Sequence, residues 1–401
     1  MVPSNTVCPT CGAPSTYLYF NDGKIRKQIR CKLCHALFLI GKHFKHSTKF
    51  WCPYCHHALY RWKNQPLLTI YKCDNDQCPC YLSRLKKLNR KEKKLQPAKS
   101  SQFKLRYQYR EYHFTENHLF HSKPAPSKVQ LQNIHHPSNV LGLILAFHVS
   151  FAITARKTAF ILKQVFNIFV SYQTVLNYAE AAAYYCHLLN IKYKGDIDDF
   201  SAGDETYIKI AGKNAYAFLF ISAFNHKITA YHIADDRGAL PATTAMIEAL
   251  RTAKKNQAIT FVTDGNPAYP AGIHFINANL KSDPRIQHHK VIGLQNLDEE
   301  SEFYRHYKQI SERLNRTYKF HIRPANGFHN KNGAISLTTL FVTHYNFLRP
   351  HMALHYHVPI PLLTLDSFPT IQAKWGRLLD LAMSIHPDDP DLHHPKLIAL
   401  S

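Results

Sequence analysis

Acidic residues are scarce in this chain. Its 401 residues carry 27 Asp and Glu against 50 Lys and Arg, a formal net charge of +23. The imbalance points to a polyanionic partner, nucleic acid first. It is also uneven: residues 1–135 hold 24 Lys/Arg and 6 Asp/Glu, so most of the excess sits in the first third. Long apolar runs are missing too. The longest, about 140–153, is broken by His148 and Ser150 and is too short to span a bilayer. The N-terminal Met-Val-Pro-Ser-Asn-Thr-Val-Cys has no basic segment followed by an apolar core. Membrane-spanning and secreted classes are therefore excluded, and a soluble intracellular protein is expected. With 45% apolar and 19% charged residues, the composition is globular rather than disordered. Cysteine is nearly absent beyond residue 85, where only Cys186 remains.

The other nine cysteines are concentrated and spaced. Cys8-Pro-Thr-Cys11 is followed by Cys31-Lys-Leu-Cys34, and Cys52-Pro-Tyr-Cys55 by Cys73, Cys78 and Cys80. A Cys-x-x-Cys knuckle presents two thiolates to one tetrahedral ion, and a second pair fifteen to twenty residues away closes the site. Structural Zn2+ in two sites is expected, with Cys78 or Cys80 as the last ligand of the second. His35, His56 and His57 beside the knuckles are weaker alternatives. Zinc supplies folding energy that a module of about forty residues cannot draw from its own core.

The chain divides by composition into zinc ribbon 1–48, second zinc-binding module 49–85, basic linker 86–136, helix-turn-helix 137–194, α/β domain 195–355 and helical appendage 356–401. The stretch from Arg84 to Arg110 has eleven Lys/Arg and one Glu, with Tyr107, Tyr109 and Tyr112 interleaved, and suits phosphate tracking. In the third zone Ala159, Leu162, Val165 and Phe166 share one helical face, residues 167–170 break the pattern, and Ser171 can cap a second helix from Tyr172 to about Leu189. Its inner face is Val175, Tyr178, Ala179 and Ala182, which turns Tyr172, Gln173 and Asn177 outward, where a recognition helix contacts duplex DNA.

From Gly203 the period changes. Residues 204–210, 215–222 and 227–233 read as strands, 241–253 as a helix, 258–263 as a strand ending at Asp264, and 303–315 as a helix. That order is the order of a ribonuclease-H-like core with a mixed sheet flanked by helices. Asp204, Asp264 and Glu312 fall on separate elements, so three carboxylates can converge and hold two Mg2+ or Mn2+ ions. Strand alternation sends Asp204 and neighbouring Glu205 to opposite faces, so one of them is not expected to be a ligand. Taken singly, Asp264 also fits a turn and Glu312 a helix ion pair with Arg316. Asp196, Asp198 and Asp199 read as solvated linker.

Four motifs carry a resemblance: Gly-Asp204-Glu205-Thr-Tyr-Ile-Lys, Thr-Asp264-Gly-Asn-Pro-Ala-Tyr269, Glu312-Arg-Leu-Asn-Arg-Thr-Tyr-Lys319 and Tyr345-Asn-Phe-Leu-Arg-Pro-His351. Residues 203–354 resemble the catalytic domain of DDE-type insertion-sequence transposases, relatives of retroviral integrases. The resemblance implies Asp204, Asp264 and Glu312 as the metal-binding triad, and strand cleavage and joining on DNA. Duplex DNA at element ends and target, a homodimer or larger assembly, and a cytoplasmic location at the nucleoid follow from it. Arg316, Lys319, Arg323 and Arg349 are phosphate contacts in this reading. The 47 residues between Asp264 and Glu312 exceed the usual spacing, so about 273–302 reads as an insertion and Glu299, Glu300 and Glu302 become rival third acids. A catalytically silent DNA-binding regulator and a zinc-ribbon nuclease acting on RNA are the competing functions.

Overall fold

The computed structural model describes residues 2–21, 28–39, 50–99, 103–254, 256–280, 286–295 and 297–392. Packing divides the chain into two units, Met1–Thr115 and Glu116–Ser401. The boundary expected at 48/49 and the last part of the expected appendage, 393–401, lie outside the described residues.

The first unit holds two small antiparallel sheets. Strands β1 (Leu18–Phe20), β2 (Gln28–Cys31) and β3 (Leu37–Leu39) form one. Strands β4 (Tyr60–Gln65), β5 (Leu68–Lys72) and β6 (Tyr107–Tyr112) form the other, with helices α1 (Pro79–Lys86) and α2 (Arg90–Leu95) between β5 and β6. The stretch expected to be a linker is thus partly folded. Tyr109 pairs across from Tyr71, and the Tyr71 hydroxyl donates to Glu111 at 3.0 Å. Arg84 donates to the carbonyls of Leu105 and Tyr107 at 3.0 and 2.6 Å. Helix α2 opens with a capping box between Asn89 and Glu92.

In the second unit, helices α3 (Ser138–Leu145), α4 (Ala155–Phe166) and α5 (Tyr172–Lys192) come first. Strands β7 (Phe200–Ile210), β8 (Lys213–Ser222) and β9 (Ile228–Ala234) follow, then α6 (Ala239–Ala249), β10 (Thr260–Thr263), α7 (Ala268–Asn279), β11 (Gln287–Lys290), α8 (Glu299–Ile322), α9 (Lys331–Thr343) and α10 (Ile371–Met383). The sheet order is β11-β10-β7-β8-β9; β7, β8 and β9 are antiparallel, while β10 runs parallel to both its neighbours. This is the mixed sheet with flanking helices expected from the sequence. Ala211 and Gly212, both at positive φ, make the two-residue turn between β7 and β8, a backbone that matches the twist of the strands it joins.

Alternation along the strands sets the two faces. Ala202, Leu219 and Val262 pack under Tyr307, Leu314 and Tyr318 of α8 and Phe341 of α9. Phe220 turns the other way, where it meets Tyr269 of α7 edge-on. The expected insertion at 273–302 instead contains most of α7 and all of β11, the fifth strand of the sheet. Gln287-His-His-Lys290 lies at the sheet edge and has no apolar alternation, so its sequence gives no strand signal.

The helical residues share one core that crosses the expected boundaries at 194 and 355. Leu141 and Leu145 of α3, Leu162 of α4, Val175, Ala182 and Leu189 of α5, Leu340 of α9, and Trp375 and Leu378 of α10 belong to it. Trp375 is fully buried and its indole donates to Ser150 Oγ at 2.9 Å. Helices α4 and α5 are capped by Thr154 and Ser171, and Asn167, at φ 55°, ends α4. The predicted inner face of α5 is buried at all four positions. On α4 the prediction is half right: Leu162 is buried, but Val165 and Phe166 are exposed, because the helix turns Ala155, Thr158 and Leu162 inward instead.

Buried and half-buried histidines run through this unit. His121 and His344 are pushed down to about 3, and His187 and His232 to about 4, all by burial first. The unfolded chain takes up these protons near its ordinary 6.5, so stability is complete above that pH and declines as pH falls toward 4. Each group contributes a slope of about 1.4 kcal/mol per pH unit in that window. Urea midpoints at pH 7.5, 6.5 and 5.5 should fall steeply over the last step; a flat profile would contradict the neutral, buried state.

Candidate active site

Two parallel strands bring the central acids together. Ala202 of β7 pairs with Val262 of β10, so Asp204 and Asp264 stand two residues further along, where pairing has ended and the strands diverge. Gly203 keeps β7 close to β8 here: a methyl group at 203 would lie 2.1 Å from the Phe220 ring of the partner strand. Asp264 also makes the turn read from the sequence, its Oδ1 accepting the Asn266 N–H at 2.9 Å.

Asp204 and Glu205 leave β7 on opposite sides, as alternation requires. Asp204 Oδ2 accepts from Lys308 Nζ of α8 at 2.8 Å. Glu205 reaches toward α7, where Tyr269 Oη donates at 2.6 Å and Asn266 Nδ2 at 2.9 Å, with Arg237 at 3.7 Å. Burial pushes the Glu205 carboxyl up, and the Asp264 charge pushes it the same way, while the hydrogen bonds from Tyr269 and Asn266 oppose both. Despite leaving on opposite sides, Asp204, Glu205 and Asp264 each place a carboxylate oxygen within 4.8 Å of the others. Such hard oxygen donors suit Mg2+ or Mn2+.

Glu312 is half-buried on α8, one turn after Lys308 and on the same face, and stands outside that three-acid group. The rivals Glu299, Glu300 and Glu302 are exposed in the first turn of α8, where carboxylates favour the helix dipole. Glu300 pairs with His289 at 3.0 Å and Glu302 with Arg305 at 2.8 Å. Asp198 is not solvated linker: it accepts the Phe224 and Asn225 backbone N–H groups at 2.9 Å and closes the turn between β8 and β9. Lys308 is the residue that sequence reasoning missed, and Glu205 the one it left out of the triad although its carboxylate joins the cluster. Only the i, i+4 spacing of Lys308 and Glu312 hinted at the first.

The expected DNA contacts occupy three places. Tyr172, with Arg156 stacked 4.5 Å over its ring, and Gln173 are exposed, and Gln173 bonds to Asn177 at 2.9 Å. Lys319 lies 4.9 Å over the exposed Tyr207 ring. Arg316 lines a cavity of about 720 Å³ with Arg349, Lys374, Phe151, Phe320 and His344. Arg316 forms no salt bridge among the described residues, so the ion pair with Glu312 is not made.

The cysteines gather into two sets of four, Cys8/Cys11/Cys31/Cys34 and Cys52/Cys55/Cys73/Cys78. Closest sulfurs are 3.4 and 3.6 Å apart in the first and 3.4 and 3.8 Å in the second. Four thiolates at zinc–sulfur distances of about 2.3 Å lie about 3.8 Å apart in a tetrahedron, so both sets fit Zn2+. Cys78, not Cys80, completes the second. Three knuckles share one turn: the N–H of Gly12, His35 and His56 bonds to the carbonyl of Cys8, Cys31 and Cys52, each at 2.9 Å. All three have positive φ. His35 and His56 therefore serve as turn residues rather than ligands, and His57 stacks on His35 with ring centroids 5.0 Å apart.

Residues 201–326, just under a third of the chain, match the family model described as the DDE domain. The chain carries a DDE domain. All three clustered carboxylates, Lys308 and Glu312 fall inside the DDE domain. No curated protein matches the chain. Among solved structures, the HTLV-2 integrase catalytic core domain in complex with magnesium, in its trimeric form, is 13% identical, covers 39% of this chain and 90% of its own, and has a TM-score of 0.27. A simian T-cell lymphotropic virus intasome in complex with the PP2A regulatory subunit B56 gamma is 16% identical over 52% of this chain and 70% of its own, also at 0.27. The BIV integrase core is 11% identical over 39% and 90%, again at 0.27. Among the described residues no helix of the DDE domain or its neighbours is long and apolar enough to cross a membrane.

Proposed function

We propose that this chain is the DNA transposase of an insertion sequence. It binds duplex DNA at the element ends, cleaves a phosphodiester to free a 3′-hydroxyl and joins that hydroxyl to target DNA. The observation that carries this reading is the carboxylate cluster at the divergence of β7 and β10, inside a DDE domain. Asp204, Asp264 and Glu312 would hold two divalent ions; when bound, these activate the attacking oxygen and stabilise the leaving one. Glu205, held by Tyr269 and Asn266, shapes the wall beside Asp264. Arg316, Lys319, Arg323 and Arg349 line up phosphates, and Tyr172, Gln173 and Asn177 read the ends from the first turns of α5. Two ends must meet for joining, so the active form is at least a homodimer, at the nucleoid of the cytoplasm where its DNA lies. Zn2+ in both cysteine sets is structural, since four thiolates leave no open position.

The test is cleavage of duplex DNA carrying the terminal repeats that flank the gene, in Mg2+ and in Mn2+. A metal-dependent cut at the repeat boundary supports the reading. Tight binding of the repeats without a cut would favour the silent regulator, and preference for RNA would favour the nuclease. The cavity adds a second expectation. Replacing Arg316 and Lys374 together by Ala should weaken end binding and lower the slope of log K against log salt by about 0.9 for each phosphate no longer neutralised. An unchanged slope would remove the cavity from the DNA path.

A further inference from the structure

Lys308 is a buried cation seated against the carboxylate cluster. Its side chain is 5% exposed and that of Asp204 15%, and the pair is 2.8 Å apart. A lysine is rarely placed so deep without a charge to answer. Here it answers Asp204, one of three carboxylates: Asp204, Glu205 and Asp264 lie within 4.8 Å of one another, and like charges at that range repel. Glu205 already has Tyr269, Asn266 and Arg237, whereas Asp204 Oδ2 is taken by Lys308. The oxygen that Lys308 occupies belongs to a carboxylate assigned above to the metal site.

We propose that Lys308 is a built-in competitor for the first divalent ion. Its ammonium neutralises the cluster when no metal is bound, and it must release Asp204, or stay beside a doubly charged ion, when one enters. Both alternatives weaken metal binding: the first breaks a buried ion pair, the second sets a positive charge close to a dication with little water to screen it. Lys308 is therefore a positioning residue that sets how much divalent metal the enzyme needs. Glu312 lies one turn along the same face of α8. This inference rests on the proposed metal site.

The test measures metal binding directly, on the full chain loaded with zinc in its cysteine sites. Mn2+ is titrated and followed by its electron paramagnetic resonance signal and by the shift in melting temperature, in wild type, Lys308→Met, Lys308→Arg and Asp204→Asn. Lys308→Met should bind Mn2+ at least tenfold more tightly than wild type, equivalent to about 1.4 kcal/mol. Lys308→Arg, which keeps the charge, should bind as wild type does. Equal or weaker binding by Lys308→Met, with the protein folded, overturns the proposal. Should Lys308→Met not fold, a Lys308→Gln variant carries the same expectation. Asp204→Asn separates the two ideas: unaltered Mn2+ binding in that variant would remove the metal site itself, whatever Lys308 does.

Discussion

Asp264→Asn is expected to lower strand cleavage and joining by about 10³-fold or more, corresponding to roughly 4 kcal/mol of lost transition-state stabilisation. The substitution is chosen for what it leaves alone. Asp264 Oδ1 accepts the Asn266 N–H, a bond that an asparagine oxygen can make equally well, so the turn after β10 survives. What changes is one negative charge among three carboxylates that lie within 4.8 Å of one another. In the proposed function the DNA ends are bound elsewhere, by Tyr172, Gln173 and Asn177 of α5 and by the cations of the cavity, so end binding should stay within a few-fold of wild type. A gel-shift titration beside the cleavage assay distinguishes the cases. Loss of both activities with an intact circular dichroism spectrum would take Asp264 out of the proposed metal site.

Removal of zinc has the second large expected effect, and it falls on the first unit alone. Each cysteine set stands at the centre of a small module: Cys8, Cys31 and Cys34 are themselves part of the buried cluster around Ile29 and Phe38. The second module buries Cys52, Cys73 and Cys78 with Leu59 and Tyr71. Structural zinc in such sites contributes binding free energy on the order of 10 kcal/mol, as much as the whole net stability of a typical domain. A strong chelator under reducing conditions should therefore unfold residues 1–115 while the sheet and helices of the second unit persist. Limited proteolysis followed by mass spectrometry reads this directly. Protection of the first unit after two equivalents of zinc have been released would show that its sheets stand without the metal.

How much of this could be read beforehand depended on the kind of signal. Strands β7, β8 and β9 were legible because apolar residues dominate β8 and alternate in the others, and the cysteine knuckles because their spacing is a chemical constraint. The strand at 107–112 was hidden: its tyrosines sit among so many lysines and arginines that charge masked the alternation. Strand β11 was hidden for a different reason, having two histidines and no aliphatic residue. At the site, Asp204 and Asp264 could be named from their strands, but the approach of Glu205 depends on strands that diverge just beyond Ala202 and Val262, which is a property of register. The seat of Lys308 against Asp204 spans 104 residues of sequence and is visible only after folding.

Helix α10 has a further meaning for how the protein is made. It completes a core begun by α3, with Gln372 donating to the Asn139 carbonyl across 233 residues of chain. Contacts this distant in sequence form late. Until residue 379 has emerged from the ribosome, Leu141, Ile144 and Leu145 lack the partner that covers them, and a prematurely released fragment would expose that surface to proteases. The closing helix thus ties the survival of each newly made molecule to synthesis of residues 371–383.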